Sequence, residues 1–290
     1  MVRNANPFFG ALLKQKHLLW LTVWVLGLGV IGVWDLLFLN QPAFILLRAA
    51  CINTVTTCFF VIVFSIGLGW LAGLALNFLE NRRRMPYFFV TFVLNIIRSV
   101  PQIVGVLLGY IILTILIEQE IVRSQFVQLL WMALTIGLFV FLEVVDLIRE
   151  RISYYTKLDF FQAMLCCGIP EWRIINREIL WKNSRAHFLH KIISIFGIAI
   201  FLQCSIDFVV SVGLSSDVSL SNFPATLGSQ LAKLDSKQDI LAVGRVFLHP
   251  LEAPSLVFEH LQGISIAVVI VFTLLCMYQI SNGLVKRYDL

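Results

Sequence analysis

Six long apolar runs, separated by charged and turn-forming residues, restrict this chain more than any other feature of its sequence. A helix needs about 20 largely apolar residues to cross the hydrocarbon core of a bilayer. The chain is 59% hydrophobic and 13% charged, and a soluble domain has too little interior to bury that much apolar surface. We therefore predict an all-α integral membrane protein with about six transmembrane helices, at residues 17–39, 53–79, 101–117, 126–148, 191–213 and 261–284.

The third span is predicted to be broken near its start. A shorter apolar run, 87–97, precedes it, and Arg98, Ser99 and Pro101 interrupt what is otherwise one continuous stretch. Proline lacks an amide hydrogen and favours the first turn of a helix. We therefore expect one helix to end and another to begin close to Pro101.

Positive charge is distributed unevenly between the two sides of the predicted bundle. With six spans and a cytosolic start, sixteen of the 22 Lys and Arg residues lie inside, five lie outside and Arg98 is unassigned. Cytosolic connections are enriched in Lys and Arg, so both termini, including residues 1–16, are predicted to be cytosolic. The net charge of +5 then reflects orientation, and no nucleic-acid partner is expected. The inside residues are Arg3, Lys14, Lys16, Arg82, Arg83, Arg84, Arg149, Arg151, Lys157, Arg173, Arg177, Lys182, Arg185, Lys191, Lys286 and Arg287.

The connection at 149–191 is charged, amphipathic and too polar to cross a membrane. Gly168 is suited to end a helix in a left-handed conformation, and Pro170 followed by Glu171 is suited to start the next one. We predict a cytosolic helix–turn–helix whose apolar turn, 163–170, projects toward a partner that grips it in a groove. At 100° per residue, three apolar side chains share one face of the second helix: Trp172, Ile175 and Ile179.

This connection resembles the EAA motif of the permease subunits of bacterial ABC importers, which reads Glu-Ala-Ala, three residues, Gly, nine residues, Ile-x-Leu-Pro. Gly168 is retained, while Gln162 and Met164 replace the Glu and the second Ala, and Glu178 and Trp181 replace the first Ile and the closing Pro. The likeness is closest to the dipeptide, oligopeptide and nickel subfamily. It implies that the ATPase-coupling residues are Gln162, Ala163, Met164, Cys167, Gly168, Ile169, Pro170 and Glu171.

The resemblance covers residues 53–290, but its two halves point to different solutes. The segment 200–208 is similar to the fifth span of the peptide subfamily, with Gln203 and Asp207 where Glu and a small polar residue are usual. The segments 52–76 and 97–104 look more like permeases for amino acids, methionine or phosphonates. The resemblance therefore implies a peptide-like or metal-chelate solute, with amino acids or phosphonate-like solutes as the alternative.

A bacterial inner-membrane permease of this kind is a conduit and not an enzyme. The resemblance implies two cytosolic ATPases that bind ATP and Mg²⁺, a second and non-identical permease, and an external solute-binding protein. The chain has no G-x-x-x-x-G-K-[ST] phosphate loop, so the nucleotide is expected on the partner ATPase, and no cofactor is expected on this chain. The long external loop, 214–260, has no assigned role.

Charged side chains inside spans are costly unless they are paired or face water, which makes them functional candidates. Asp207 and Arg98 are candidates for the solute pathway, together with Gln203. A structural hydrogen bond from a neighbouring helix is an equal alternative for Asp207. Glu143 and Asp146 are expected to pair with Arg149 or Lys191 at the inner interface.

Two further readings belong to different classes of protein. An ion-coupled carrier would depend on Asp207, Glu143 and Asp146 and would need no ATPase. A membrane scaffold would have no transport activity. The spacing of four residues in the external loop fits no metal-ligand pattern, and no metal site is predicted from them: His249, Glu252, Glu259 and His260.

Overall fold

The computed structural model describes residues 16–82, 84–213, 223–233, 248–249, 251 and 261–288. Helices dominate these residues, and no strand occurs among them. The long helices are α1 (Lys16–Phe38), α2 (Gln41–Arg82), α3 (Arg84–Ser99), α4 (Gln102–Glu118), α5 (Gln125–Thr156), α8 (Arg185–Gly213) and α10 (Leu261–Tyr288). The short ones are α6 (Asp159–Cys166), α7 (Glu171–Arg173), which continues as a π-helix over Ile174–Asn183, and α9 (Leu227–Lys233).

Five helices in the described part of the chain are long and apolar enough to cross a membrane: α1, α2, α5, α8 and α10. The pair α3 and α4 passes the same test only together, and the two helices are bent by 92° where they meet. The predicted helical membrane fold of about six spans is confirmed at this level. The bend lies at Ser99–Pro101, where the sequence predicted a break.

Helix α2 extends well beyond the predicted span 53–79. It has 42 residues, which corresponds to about 63 Å at 1.5 Å per residue, against about 30 Å for a hydrocarbon core. Hydropathy ends a span at charged residues such as Arg48, but a charge on an exposed helix face does not end a helix. Pro42 is tolerated because it occupies the first turn, where its missing amide hydrogen has no helical partner.

The centre of the bundle is the parallel contact between α2 and α5, the largest interface between any two described elements. Two glycines of α2 allow this contact. A Cβ atom on Gly69 would lie 2.5 Å from Cβ of Val144, and one on Gly73 would lie 2.8 Å from Cγ2 of Ile148. The small-x-x-x-small spacing of these two glycines is typical of closely packed membrane helices.

Helices α1 and α10 form an antiparallel pair at the edge of the bundle. A Cβ atom on Gly283 would lie 2.8 Å from the backbone nitrogen of His17, and the indole nitrogen of Trp24 donates to Oγ1 of Thr273 at 3.3 Å. Leu284 also belongs to an apolar cluster with Ile193, near the start of α8. Helix α1 therefore begins, and α10 ends, at the end of the bundle that carries α6 and the π-helix, which we call the turn end.

The close α2–α5 contact makes a pair of matched glycine substitutions informative. Gly69→Ala places a methyl group against Val144 and the carbonyl oxygen of Phe141, so the helices must separate. We expect a loss of about 1–3 kcal/mol, seen as a lower midpoint of thermal unfolding in detergent.

Gly67→Ala is the control, because a Cβ atom at Gly67 meets nothing within 4 Å. It makes the same change in helix propensity on the same helix. Equal unfolding midpoints for the two variants would show that the contact is not close in the protein.

Candidate functional site

The turn between α6 and α7 is closed by its own backbone. The amide of Gly168 donates to the carbonyl of Leu165 at 2.9 Å, and the amide of Ile169 donates to that of Met164 at 3.2 Å. Gly168 has a φ of +79°, the left-handed conformation that the sequence predicted. Nothing lies within 4 Å of a Cβ atom built on it, so the backbone conformation, not crowding, favours glycine here.

The base of the turn is packed into the bundle on both sides. On the α6 side, Phe161 is buried. On the other side, the indole nitrogen of Trp70 on α2 donates to Oδ1 of Asn176 at 3.1 Å. Four apolar side chains of the π-helix are completely buried: Ile174, Ile175, Ile179 and Leu180. The turn is therefore a short projection held by α2, α5 and α8.

The tip of the turn is open. Among the coupling residues that the resemblance implies, two are half-buried against the core, Met164 and Ile169. The other six are exposed: Gln162, Ala163, Cys167, Gly168, Pro170 and Glu171. Cys166 and Cys167 are free thiols, as are the remaining four cysteines.

The predicted face of the second helix is wrong at Trp172, which is 60% exposed while Ile175 and Ile179 are buried. The prediction assumed α-helical periodicity. The segment from Ile174 is a π-helix, in which residues five apart lie on the same face, as Ile174 and Ile179 do. Trp172 precedes this segment and points away from the core. Neither apolar periodicity nor the residues that start and end helices indicate a π-helix.

Asp207 is buried near the far end of α8 and binds the start of α9. Its Oδ2 atom accepts a hydrogen bond from Oγ1 of Thr226 at 2.5 Å. The backbone amide of Leu227 donates to Oγ1 of Thr54 on α2 at 3.0 Å. A Cβ atom on Gly228 would lie 2.6 Å from Cα of Cys204, so α9 lies directly on α8.

Sequence reasoning missed Thr226 and its role, although a signal was present. Thr226 and Ser229 exchange hydrogen bonds in a capping arrangement: the amide of Thr226 donates to Oγ of Ser229 at 2.9 Å, and the amide of Ser229 donates to Oγ1 of Thr226 at 3.2 Å. Threonine is favoured directly before the first residue of a helix, and Thr226 has this position before Leu227. It lies within the external loop of the sequence analysis, where no helix was predicted.

Gln203 lies one helical turn before Asp207 on α8 and is fully buried. Among the described residues, neither its amide nitrogen nor its amide oxygen has a hydrogen-bond partner. The buried hydroxyl of Tyr110 on α4 faces the carboxylate of Asp207 and interacts with it. The structure thus brings two of the three pathway candidates together in a polar group inside the bundle.

The third candidate, Arg98, lies elsewhere. It donates to Oδ1 of Asp146 at 2.6 Å, beside a cavity of about 180 Å³ at the bend between α3 and α4. Glu143 pairs with Lys191 at 2.9 Å, so its predicted pairing is confirmed. Asp146 was expected to pair with Arg149 or Lys191, and this is wrong, because the bend brings Arg98 to it instead.

A second buried carboxylate escaped the sequence analysis. Asp35 on α1 is buried, and its Oδ1 atom accepts a hydrogen bond from Oγ of Ser265 on α10 at 2.5 Å. One acidic residue in an otherwise apolar span was the available signal. No group of three or more metal-ligating side chains occurs among the described residues, and Glu252, Glu259 and His260 lie outside them.

No protein-family model matches the chain, and no curated protein sequence matches it either.

The Asp207–Thr226 hydrogen bond generates a stability prediction. Thr226→Val keeps the shape of the side chain and removes the hydroxyl that donates to the buried carboxylate, so we expect a loss of about 1–3 kcal/mol. Thr226→Ser retains the hydroxyl and is the control. Thermal unfolding in detergent measures both, and a valine variant as stable as the serine variant would contradict the role of this bond.

Proposed function

We propose that the chain is the transmembrane permease subunit of an ABC importer and that the turn at 163–170 docks a cytosolic ATPase. The observation that carries this proposal is a rigidly based, exposed helix–turn–helix at one end of a bundle of long apolar helices. The sequence likeness to the EAA motif falls on the same residues. The retained Gly168 has the backbone conformation that such a turn requires.

The packing of the turn gives a physical route for coupling. A force on the tip acts through α6 on the end of α5 and through the π-helix on the start of α8. The Trp70–Asn176 hydrogen bond adds a link to α2. An ATPase that displaces the turn would then move three of the apolar helices, and only residues 157 and 158 separate α5 from α6.

The proposed orientation places the turn end in the cytosol of a bacterial cell, with the chain in the inner membrane. Most Lys and Arg residues of the sequence fall in segments at the turn end or directly adjoining it, as expected for the inside of a membrane protein. Helix α1 starts and α10 ends at that same end, which agrees with two cytosolic termini.

The partners follow from this role. ATP and Mg²⁺ would bind to the ATPase subunits, a second and non-identical permease would complete the conduit, and an external binding protein would deliver the solute. We favour a peptide-like or metal-chelate solute, with amino acids or phosphonate-like solutes as the alternative. Gln203 is the strongest candidate to meet the solute, because its buried amide has no partner among the described residues.

A charge placed at the tip of the turn tests ATPase docking. Ala163 is exposed, so Ala163→Asp should leave the fold intact while it puts an unpaired carboxylate into an apolar contact. We expect the variant to lose most of the ATPase that co-purifies with the wild-type chain from native membranes in mild detergent. The ATP hydrolysis of the eluate should fall in parallel.

Ser153→Asp is the matched control, since Ser153 is also exposed but lies on α5, before the turn. It should retain the ATPase. The proposal fails if no ATPase co-purifies with the wild-type chain, or if Ala163→Asp retains as much ATPase as Ser153→Asp does.

An ion-coupled carrier is the second candidate, favoured by the two carboxylates buried within apolar helices, Asp35 and Asp207. Asp207→Asn separates the two functions, because the amide oxygen can still accept from Thr226 while the charge is lost. In an importer, we expect the variant complex to keep its ATPase and its ATP hydrolysis. In a carrier, the variant would abolish proton-driven accumulation.

The measurement is mass spectrometry of solutes accumulated from a cell extract by proteoliposomes. One set contains the purified complex, with ATP on the side of the membrane that the ATPases face. The other set contains the chain alone under an imposed proton gradient. Accumulation by the chain alone, lost in Asp207→Asn, would replace the importer with the carrier.

A further inference from the structure

An apolar pocket of about 510 Å³ lies at the turn end, between α2, the π-helix and α8. It is separate from the tip of the turn and from the buried polar group around Asp207. Its size falls within the range of sites that bind small molecules. Its walls are Ile66, Trp70, Leu180, Trp181, Arg185, Phe188, Leu189 and Ile192.

The pocket has an apolar end and a charged end. Ile66 and Ile192 lie toward the middle of the bundle, whereas Arg185 begins α8, about 9 Å before Lys191 along the helix axis. Lys191 itself pairs with Glu143, which belongs to the apolar run 126–148. The pocket therefore crosses the level at which the apolar part of the bundle ends.

Arg185 is the charged group of this pocket, and part of its guanidinium group is available to donate hydrogen bonds. Its Nε atom donates to the carbonyl of Trp181 at 2.8 Å, and its two terminal nitrogens have no partner among the described residues. No acidic side chain lines the pocket. The nearby Lys182 is already paired with Glu178.

The π-helix shapes the rim of the pocket. In an α-helix, residue 181 would fall on the same face as Ile174, seven residues earlier, and would turn toward the core. In the π-helix, Leu180 takes the inner position, and Trp181 is left 64% exposed at the mouth. The opposite wall is fixed, because the ring of Trp70 lies 5.2 Å from that of Phe188 and its nitrogen is held by Asn176.

We propose that this pocket binds one anionic phospholipid, with an acyl chain between α2 and α8 and the phosphate on the terminal nitrogens of Arg185. Arginine binds phosphate through two parallel hydrogen bonds, and tryptophan is enriched where membrane and water meet. Basic pockets between spans at the cytosolic face bind anionic head groups. The apolar walls favour a lipid, since a free phosphate would gain nothing from them. This site does not depend on ATPase docking.

The test is native mass spectrometry of the full chain, extracted from membranes containing equal amounts of phosphatidylglycerol and phosphatidylcholine. We expect the wild-type chain to retain phosphatidylglycerol in preference. Arg185→Gln should lower that retention about tenfold, because a charge-assisted contact is lost. Arg177→Gln removes the same charge from an exposed position outside the pocket and should have no effect.

Two further measurements identify what occupies the pocket. Leu189→Trp fills it and should reduce retention while Arg185 remains, and added glycerol phosphate should not displace the lipid. Equal retention of the two lipids, or equal losses in Arg185→Gln and Arg177→Gln, would overturn the proposal. If glycerol phosphate displaces the lipid, the pocket is a phosphate site instead. If the chain forms a dimer that Leu189→Trp dissociates and Arg185→Gln does not, the pocket is a contact between two copies of the chain.

Discussion

Everything described above depends on how closely α2 and α5 approach each other. Gly69 and Gly73 remove the side chains that would keep the two helices apart, and Val144 and Ile148 fill the space. The other faces of α2 are then free for different tasks: Thr54 holds α9 near one end, and Trp70 holds Asn176 of the π-helix near the other. Because α5 leads into α6, the same contact also fixes where the exposed turn is presented.

The bundle uses its polar side chains in two different ways. At the turn end, Glu143 and Asp146 pair with cations from other helices at positions that are partly open. Inside the bundle, Asp35 and Asp207 each accept a hydrogen bond from a hydroxyl, without a cation. A hydroxyl donor costs less to bury than a counter-ion, because only one of the two groups can carry a charge. The paired charges tie helices together at the boundary, while the hydroxyl contacts join them in the interior.

Sequence patterns predicted the features that depend on nearest neighbours along one helix. The apolar runs predicted the spans, and Gly168 predicted the left-handed end of α6. They failed where geometry joins distant segments. The partner of Asp146 depends on a 92° bend, and the exposure of Trp172 depends on a π-helix. The donor to Asp207 is Thr226, which lies 19 positions later and directly before α9. For the candidate site, the sequence predicted the turn and its exposed tip, but not the packing that holds its base.

The π-helix has a mechanical consequence for whatever acts on the turn. Its ten residues, Ile174–Asn183, are wound in a wider and shorter coil than an α-helix of the same length. A return to α-helical winding would lengthen this segment and rotate α7 relative to α8, without breaking any of the apolar helices. The connection from the turn to α8 can therefore change its length by rewinding, whereas the connection through α6 to α5 contains no π-helix that could do so. A small displacement of the turn would move α5 first, and α8 would move only after the π-helix had finished rewinding.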